Sequence, residues 1–437
     1  MIKIGISKEE KKLLKKIGKS VKQKLKGSSK DIPGMVQNFY LIEGDQITKL
    51  VLSGERPPYG QELKGPKVKI PEEIGELTAL KSLTLSYLVF DSLPESIGNL
   101  KDMRHFTLNH VTVPELPDAI GNFTQLEKFY MMYCQCPTLP ESVGNWTQVK
   151  EVLIQNSKTR ELPPTVRHWT NVELVQLRDC LFEKIPLGIC GWTNIKRLWL
   201  HANPLMRRED GDLVRRAQSW GLNGYSEIVD AGVPYLLREL YERYQAQYPN
   251  DPFEFQENPA WQNFAGVFHN REPYLQWQLE NYSKYELLNI ADIFKYLKMY
   301  EEAKAFYKRI LQIENLQNAT QGLMEIEELT MPLEEKEKLY EERAAAGGLQ
   351  ASNWLGKLAG IKIELKKYDE AIQILKNLTQ QVPKHGPSWL TLGKCYINAG
   401  NNKEAKKCFE TLLDLVQNYH NFGYTVDEIQ GLINQVS

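Results

Sequence analysis

LPESIGNL, residues Leu93 to Leu100, is one of six versions of a single phrase. It returns as IPEEIGEL from Ile70, LPDAIGNF from Leu116, LPESVGNW from Leu139, LPPTVRHW from Leu162 and IPLGICGW from Ile185. Each copy starts 23 residues after the one before. A fixed period of that length marks a solenoid, because one unit cannot close a core and shares one with its neighbours. After each phrase the apolar positions keep one order: Leu77, Leu80, Leu83 and Leu85 in one copy, Trp192, Ile195, Leu198 and Leu200 in the last. The closing pair, separated by one residue, reads as a short strand with both side chains inward.

The composite pattern LxxLxxLxLxx(N)xxxxLPxxIGxL resembles the leucine-rich repeat, in the 23-residue form of intracellular Ras-suppressor-like proteins. That resemblance implies strands on a concave side, the Pro-started segments on a convex side, and a small GTPase as one candidate partner. The family carries Asn just after the strand, where it bonds backbone groups along the stack. Here that position holds Leu88, Val111, Cys134, Ser157, Cys180 and only once Asn203, so a continuous Asn ladder is not expected.

Spacing also names the outward residues of the strands. Val51, Thr84, Thr107, Tyr130, Leu153, Gln176 and Trp199 form one column, followed by Ser53, Ser86, Asn109, Met132, Gln155, Arg178 and His201. A third holds Gly54, Tyr87, His110, Tyr133, Asn156, Asp179 and Ala202. With strands about 4.8 Å apart, Tyr130, Met132, Tyr133 and Leu153 are expected to form one exposed apolar cluster. Such groups suit a protein-binding patch, and Tyr87, His110, Arg178 and Trp199 extend the candidate face. His105, His110 and His201 do not make a metal site, since His201 lies roughly 19 Å from the others by strand count.

The C-terminal third carries a second period. Trp389, Leu392, Gly393, Tyr396, Ala405 and Phe409 match W-x2-L-G-x2-Y…A-x3-F, the pattern of the tetratricopeptide repeat. Ala371 precedes Ala405 by 34 residues and Ala303 precedes Ala371 by 68, which implies a degenerate copy over roughly 317–350. The resemblance implies a peptide groove lined by first helices, where Tyr285, Leu288, Asp292, Asn353, Gly356 and Gly360 stand. The Lys, Asn and Arg clamp of carboxylate-binding members is absent. Thr425 and Glu428 form a capping box for a last helix that should cover the end of the array.

The expected fold is thus a repeat solenoid, an α/β leucine-rich-repeat horseshoe followed by an all-α tetratricopeptide superhelix. The expected boundaries are a basic N-terminal helix with linker and cap (1–42), leucine-rich repeats (43–205), an aromatic-rich helical junction (206–283) and tetratricopeptide repeats with a capping helix (284–437). Phe39–Ile42 and Ile47–Leu52 read as a strand pair that makes an initial, capping copy. An outward insert is expected over 56–65. Trp220, Tyr225, Tyr244, Trp261, Phe264, Phe268, Tyr274 and Trp277 in the junction read as core.

Residues 1–30 hold eleven Lys against Glu9 and Glu10, a net +9 that leaves −10 for the rest of a chain whose total is −1. From a capping box at Ser7 and Glu10 the spacing predicts a helix with Leu13, Leu14, Ile17, Val21 and Leu25 on one face. Such a helix covers the end of the stack or makes peripheral contact with an anionic membrane, and a linker is expected from Gly27 to Gly34. On the sequence alone residues 1–30 are expected to be dispensable for folding. The acidic runs at Glu325–Glu328 and Glu334–Glu342 are expected on solvated helix faces.

Composition is ordinary for a soluble chain, 42% hydrophobic and 25% charged, with no run approaching the roughly 18 apolar residues of a membrane span. Six cysteines at small apolar positions suit buried thiols in a reducing compartment, so a cytoplasmic location is expected. No phosphate loop, dinucleotide turn, HExxH or nucleophile elbow occurs, no cofactor is implied, and the acidic balance beyond residue 30 argues against nucleic acid. A non-catalytic scaffold that binds proteins or peptides follows. The other readings are a membrane-surface signalling regulator anchored by the basic helix and an enzyme with its site in 206–283.

Overall fold

The computed structural model describes residues 6–436 except 23, 29–37, 59–62, 64–65, 225, 257, 265–269, 348–350 and 419–423. Two compact units divide the chain, Met1–Thr320 and Gln321–Ser437. In the first, eleven strands make one sheet. Its centre is parallel and runs from Gln46–Ser53 through Ser82–Val89, His105–Thr112, Lys128–Met132, Glu151–Gln155 and Leu174–Arg178 to Arg197–Trp199. Register is that of the repeat: Leu50, Leu83, Phe106, Phe129, Val152, Val175 and Leu198 pair in sequence, and all are fully buried. A slip of one residue would turn this whole row outward.

Each phrase becomes a short 3₁₀ turn, such as Glu95–Asn99 or Glu141–Asn145, with its Pro in extended backbone at the N-cap. Proline fits here because its ring fixes φ and the position needs no amide donor. The Gly of the phrase permits close stacking: a Cβ on Gly75 would lie 2.2 Å from the Ser96 carbonyl oxygen, and one on Gly121 2.6 Å from that of Ser142.

The turns are tied by side chains. Trp146, Trp169 and Trp192, all fully buried, donate Nε1–H to the carbonyls of Ile120, Val143 and Val166 at 2.8, 2.7 and 2.8 Å, each 26 residues upstream. Their rings stack at 5.9 and 5.8 Å between centroids. On the strand side the missing Asn ladder is replaced piecemeal. Asn203 Nδ2 donates to the Leu177 carbonyl at 2.8 Å, Ser157 Oγ donates to the Gln155 carbonyl at 2.9 Å, and Cys180 Sγ lies 3.4 Å from the Ile154 carbonyl. Leu88 and Val111 simply fill the core.

Antiparallel hairpins close both ends of the sheet. Phe39–Glu43 pairs antiparallel with Gln46–Ser53. Lys26–Ser28 then adds a parallel strand outside it, so Gly27 and Ser28 are strand where a linker was expected. The remainder of that linker lies outside the described residues, as does most of the expected insert over 56–65. At the other end Glu227–Ile228 pairs antiparallel with Arg197–Trp199, and Leu222–Asn223 follows. These two strands were not expected in a helical junction; they are too short to show periodicity.

The helix Glu209–Trp220 packs on that hairpin, Gly232–Gln247 packs on Glu209–Trp220 and on the last of the phrase 3₁₀ turns, and Glu272–Asn281 follows. Trp220, Tyr244, Trp261 and Tyr274 are core, whereas Trp277 is exposed. Tyr225, Phe268 and the side chain of Phe264 lie outside the described residues. Arg271 stacks over Trp220 at 4.1 Å and donates to the Ser219 carbonyl at 2.7 Å, and burial pulls its pKa down to about 10. The helices Lys284–Tyr296 and Tyr300–Ile313 complete this unit.

The N-terminal helix, Lys8–Ser20, has the expected capping box, and Leu13, Leu14, Ile17 and Val21 are buried in the same core as Ile70 and Ile74 of the first turn. Lys16 pairs with Glu73. The arm therefore covers the end of the stack, and its apolar face is occupied. Burying four such side chains contributes several kcal/mol before the entropy of ordering the helix is subtracted. This corrects the expectation that residues 1–30 are dispensable for folding. Deleting residues 1–25 should lower stability by about 2 kcal/mol or more in urea unfolding; an unchanged midpoint would show that the arm is not part of the core.

The unit Gln321–Ser437 takes in the end of the helix Gln317–Thr330, then Leu333–Ala345, Ala351–Glu364, Tyr368–Gln381, Gly386–Asn398, Asn402–Asn418 and Val426–Gln435. Ala359, Ala371, Leu375, Leu392, Ala405 and Phe409 share one core, and Ile429 and Ile433 of the last helix close it. The acidic run at 334–342 is not wholly solvated. Glu337 is buried and meets Lys362 at 2.7 Å and Lys367 at 2.7 Å. Burial pushes the Lys362 ammonium down, but hydrogen bonds to Glu337, Glu370 and Glu341 more than offset it and hold the pKa above its ordinary value. Glu328 likewise holds Lys357 at 2.8 Å and Arg343 at 3.3 Å. A Cβ on Gly393 would lie 2.4 Å from the Phe409 ring. Gly393→Leu should therefore cost about 1–3 kcal/mol by overpacking, with hydrogen exchange speeding across both Tyr368–Gln381 and Asn402–Asn418; protection unchanged there would contradict this packing.

Candidate functional site

At one position per repeat, near the C-terminal end of each strand or just beyond it, the backbone enters the left-handed region: φ is 52° at Tyr87, 52° at His110, 55° at Tyr133, 49° at Asn156, 54° at Asp179 and 55° at Ala202. That reversal turns the following residue, from Leu88 to Asn203, back into the core. Left-handed backbone costs an L-residue about 1–2 kcal/mol, least for Asn and Asp, whose side chains bond locally. Asn156 and Asp179 obey this rule. Tyr87 and Tyr133 break it, and with His110 they form a continuous stack.

The Tyr87 and His110 rings lie 4.7 Å apart at 28°, and the His110 and Tyr133 rings 4.5 Å apart at 18°. Stacking contributes about 0.5–1.5 kcal/mol per pair and so offsets part of the strain. Exposure rises along the stack, from 8% at Tyr87 to 53% at Tyr133. His110 Nδ1 sits 2.9 Å from Asn109 Oδ1, and burial, with Arg56 nearby, holds its pKa below the ordinary value. The ring in the middle is thus neutral at pH 7 and stacks as an uncharged plane.

Next to the stack, Tyr130 pairs in register with Leu153, and Met132 lies between Asn109 and Gln155; Tyr130, Met132 and Leu153 are half-buried. Burial, then a hydrogen bond to Glu151, pushes the Tyr130 pKa up to about 12. The structure thus brings Tyr87, His110, Tyr130, Met132, Tyr133 and Leu153 onto neighbouring strands. Arg178 is less free than its column suggests, since it donates to Gln155 Oε1 at 3.1 Å. Trp199 stands at the far end, paired with Glu227 of the closing hairpin. Five residues placed outward by spacing, Val51, Ser53, Ser86, Tyr87 and Gln155, are buried, so Tyr87 is less available than its column suggests. Phe39 and Leu41 of the adjacent hairpin strand lie in one small cluster with Val51 and cover it.

One contact was not foreseen. Arg167 occupies the Gly position of the fifth phrase and reaches out to Asp251 at 3.0 Å and over the Tyr244 ring at 5.7 Å. The break in the phrase is its signal. In the helical repeats, the expected groove positions Tyr285 and Asp292 are exposed, and a Cβ on Gly356 or Gly360 would meet nothing within 4 Å. Asp292 accepts from the Tyr307 hydroxyl. Among the described residues no three His, Cys, Asp or Glu side chains converge as metal ligands, and no helix is long and apolar enough to cross a membrane. All six cysteines are buried as free thiols, and burial pushes Cys134 up to about 12.

Family models of the tetratricopeptide repeat match residues 287–315 and 362–422. Among solved structures, a leucine-rich-repeat protein of Leptospira interrogans is 23% identical over 36% of this chain and 37% of its own, with a TM-score of 0.31. The plant peptide hormone receptor RGFR1, solved with RGF2, is 21% identical over 39% of this chain and 28% of its own, TM-score 0.31. MamA protein is 16% identical over 37% of this chain and 88% of its own, TM-score 0.24. The chain therefore spans little more than a third of the Leptospira protein and less of the receptor. No curated protein matches this chain. The fold is a leucine-rich-repeat sheet followed by tetratricopeptide helices.

The low pKa of His110 has a stability consequence. The folded state binds its proton less tightly than the unfolded chain, so the associated stability is complete above about pH 6.5 and is lost as pH falls through the lower folded value. His110→Asn, which removes the titration and suits a left-handed position, should flatten part of the loss as pH falls below about 6.5 in thermal melts. Identical profiles for both proteins would show that His110 does not titrate unfavourably in the fold.

Proposed function

We propose that this chain is a non-catalytic scaffold that grips a protein or peptide on the strand face, centred on Tyr133 with Tyr87, His110, Tyr130, Met132 and Leu153. Leucine-rich and tetratricopeptide repeats support interaction scaffolding in general; the choice of this face rests on the stack. Two tyrosines hold a backbone conformation that Asn would adopt at lower cost, and the more exposed of them presents its ring to solvent. A stability argument alone does not account for that arrangement. Rigid, preordered aromatics lose little entropy on contact, which is what binding hot spots require. The membrane-regulator reading is weaker, because the apolar face that would enter a bilayer is buried against the first repeat.

The next repeat along the stack supplies a control, since Asn156 occupies there the site that Tyr133 occupies in the repeat before it. Tyr133→Asn combined with His110→Asn should leave the melting temperature at neutral pH nearly unchanged. Partner capture, measured by affinity purification from the native cell and then with the purified partner, should weaken by about 2 kcal/mol or more. A folded partner such as a small GTPase and an extended peptide are separated by whether a synthetic fragment of the captured protein retains binding. A double variant that melts normally and keeps every partner would overturn the assignment of this face.

A further inference from the structure

The N-terminal arm does more than close the stack. Beyond Ser20 the backbone turns through the left-handed region at Lys22, with φ 54°, and carries Lys24 and Leu25 back beside the helix. The result is a cleft of about 620 Å³ between the helix, this return segment and Tyr40 of the first hairpin. Leu14, Leu25 and Tyr40 give it apolar walls. Lys11, Lys15, Lys19, Lys22 and Lys24 line it too, all exposed, and none is ion-paired to a described carboxylate.

Five ammonium groups without an ion-pair partner among the described residues, set around an apolar hollow, select a ligand that is itself divided. The volume falls in the range of small-molecule sites, about 300–1,000 Å³, and suits one acyl chain. A bilayer needs a broad apolar face on the helix, and Leu13, Leu14, Ile17 and Val21 are already spent on the repeat core. We propose that this cleft binds a single-chain amphiphile with an anionic head, such as a long-chain fatty acid. The chain lies against the half-buried Leu25 and Tyr40, with the buried Leu14 beneath them, and the head is held by the lysines. This site is independent of the strand face and of the scaffold reading.

The test uses full-length protein and oleate below its micelle-forming concentration, followed by calorimetry. Oleate should bind one to one, and oleyl alcohol, which lacks the charge, should bind at least about tenfold more weakly. Reversing Lys11, Lys15 and Lys19 to Glu should weaken oleate by about tenfold or more with the melting temperature unchanged, since all three are exposed. Lys8→Glu with Lys12→Glu, on the same helix but outside the cleft, should have little effect. Higher salt should weaken the oleate complex. The proposal is overturned if oleate fails to bind, if oleyl alcohol binds equally, if the two reversal sets act alike, or if binding appears only on anionic phosphatidylserine vesicles. Inorganic phosphate competing as strongly as oleate would likewise overturn it, reducing the cleft to an ion site.

Discussion

A hydrogen bond from an indole to the turn one repeat upstream is the constraint on which the later half of the strand stack depends. The carbonyls of Ile120, Val143 and Val166 each accept the amide that closes their own turn, from Phe123, Trp146 and Trp169, and a carbonyl oxygen has a second lone pair to offer. Trp146, Trp169 and Trp192 donate to these same carbonyls from the next repeat while filling the core with the rest of the ring. The same position holds Leu77, Leu100 and Phe123 earlier in the chain, where no such donor exists. Ser96 supplies a related rung there, its hydroxyl donating to the Glu72 carbonyl at 2.5 Å. One residue type thus joins core packing to a hydrogen bond between repeats at three successive turns.

The strand side shows the complementary economy. Its left-handed column is required by the coil, because without the reversal the next residue cannot return to the core. Whatever stands there is held rigidly and at fixed spacing of about 4.8 Å. Three consecutive aromatic rings at that pitch must stack, so order in the face follows from backbone geometry and not from contacts among the side chains themselves. The burial of His110 that keeps it uncharged follows from the same geometry.

Much of this was legible in the sequence. The 23-residue period gave register, inward pairs, the turn phrases and the outward columns, because periodicity reports directly on which side chains share a face. The helical repeats were legible at Gly393, Ala405 and Phe409, where close approach demands small beside large. What escaped had no periodic signal. Strands of two or three residues at 26–28, 222–223 and 227–228 are defined by what they pair with. The buried state of Glu337 depends on Lys362 and Lys367, which are 25 and 30 residues away. Tyr87, His110 and Tyr133 were named as candidates, but spacing places side chains only by column. It does not show that their backbone is left-handed or that their rings meet.

The substitution of Arg167 for the glycine of the phrase divides the repeats into two kinds. Gly75, Gly98, Gly121 and Gly144 make their close contacts only with neighbouring repeats. Arg167 instead couples its repeat to Asp251 and Tyr244, more than seventy residues later. Copies ahead of Leu162 are therefore interchangeable in kind, and gene duplication could insert another among them at the cost of one more rung. The repeats from Leu162 onward are anchored by this cation and by the hairpin at Glu227. A repeat inserted ahead of Leu162 would leave the Arg167 contacts with Asp251 and Tyr244 in place, whereas one inserted after Trp169 would displace them.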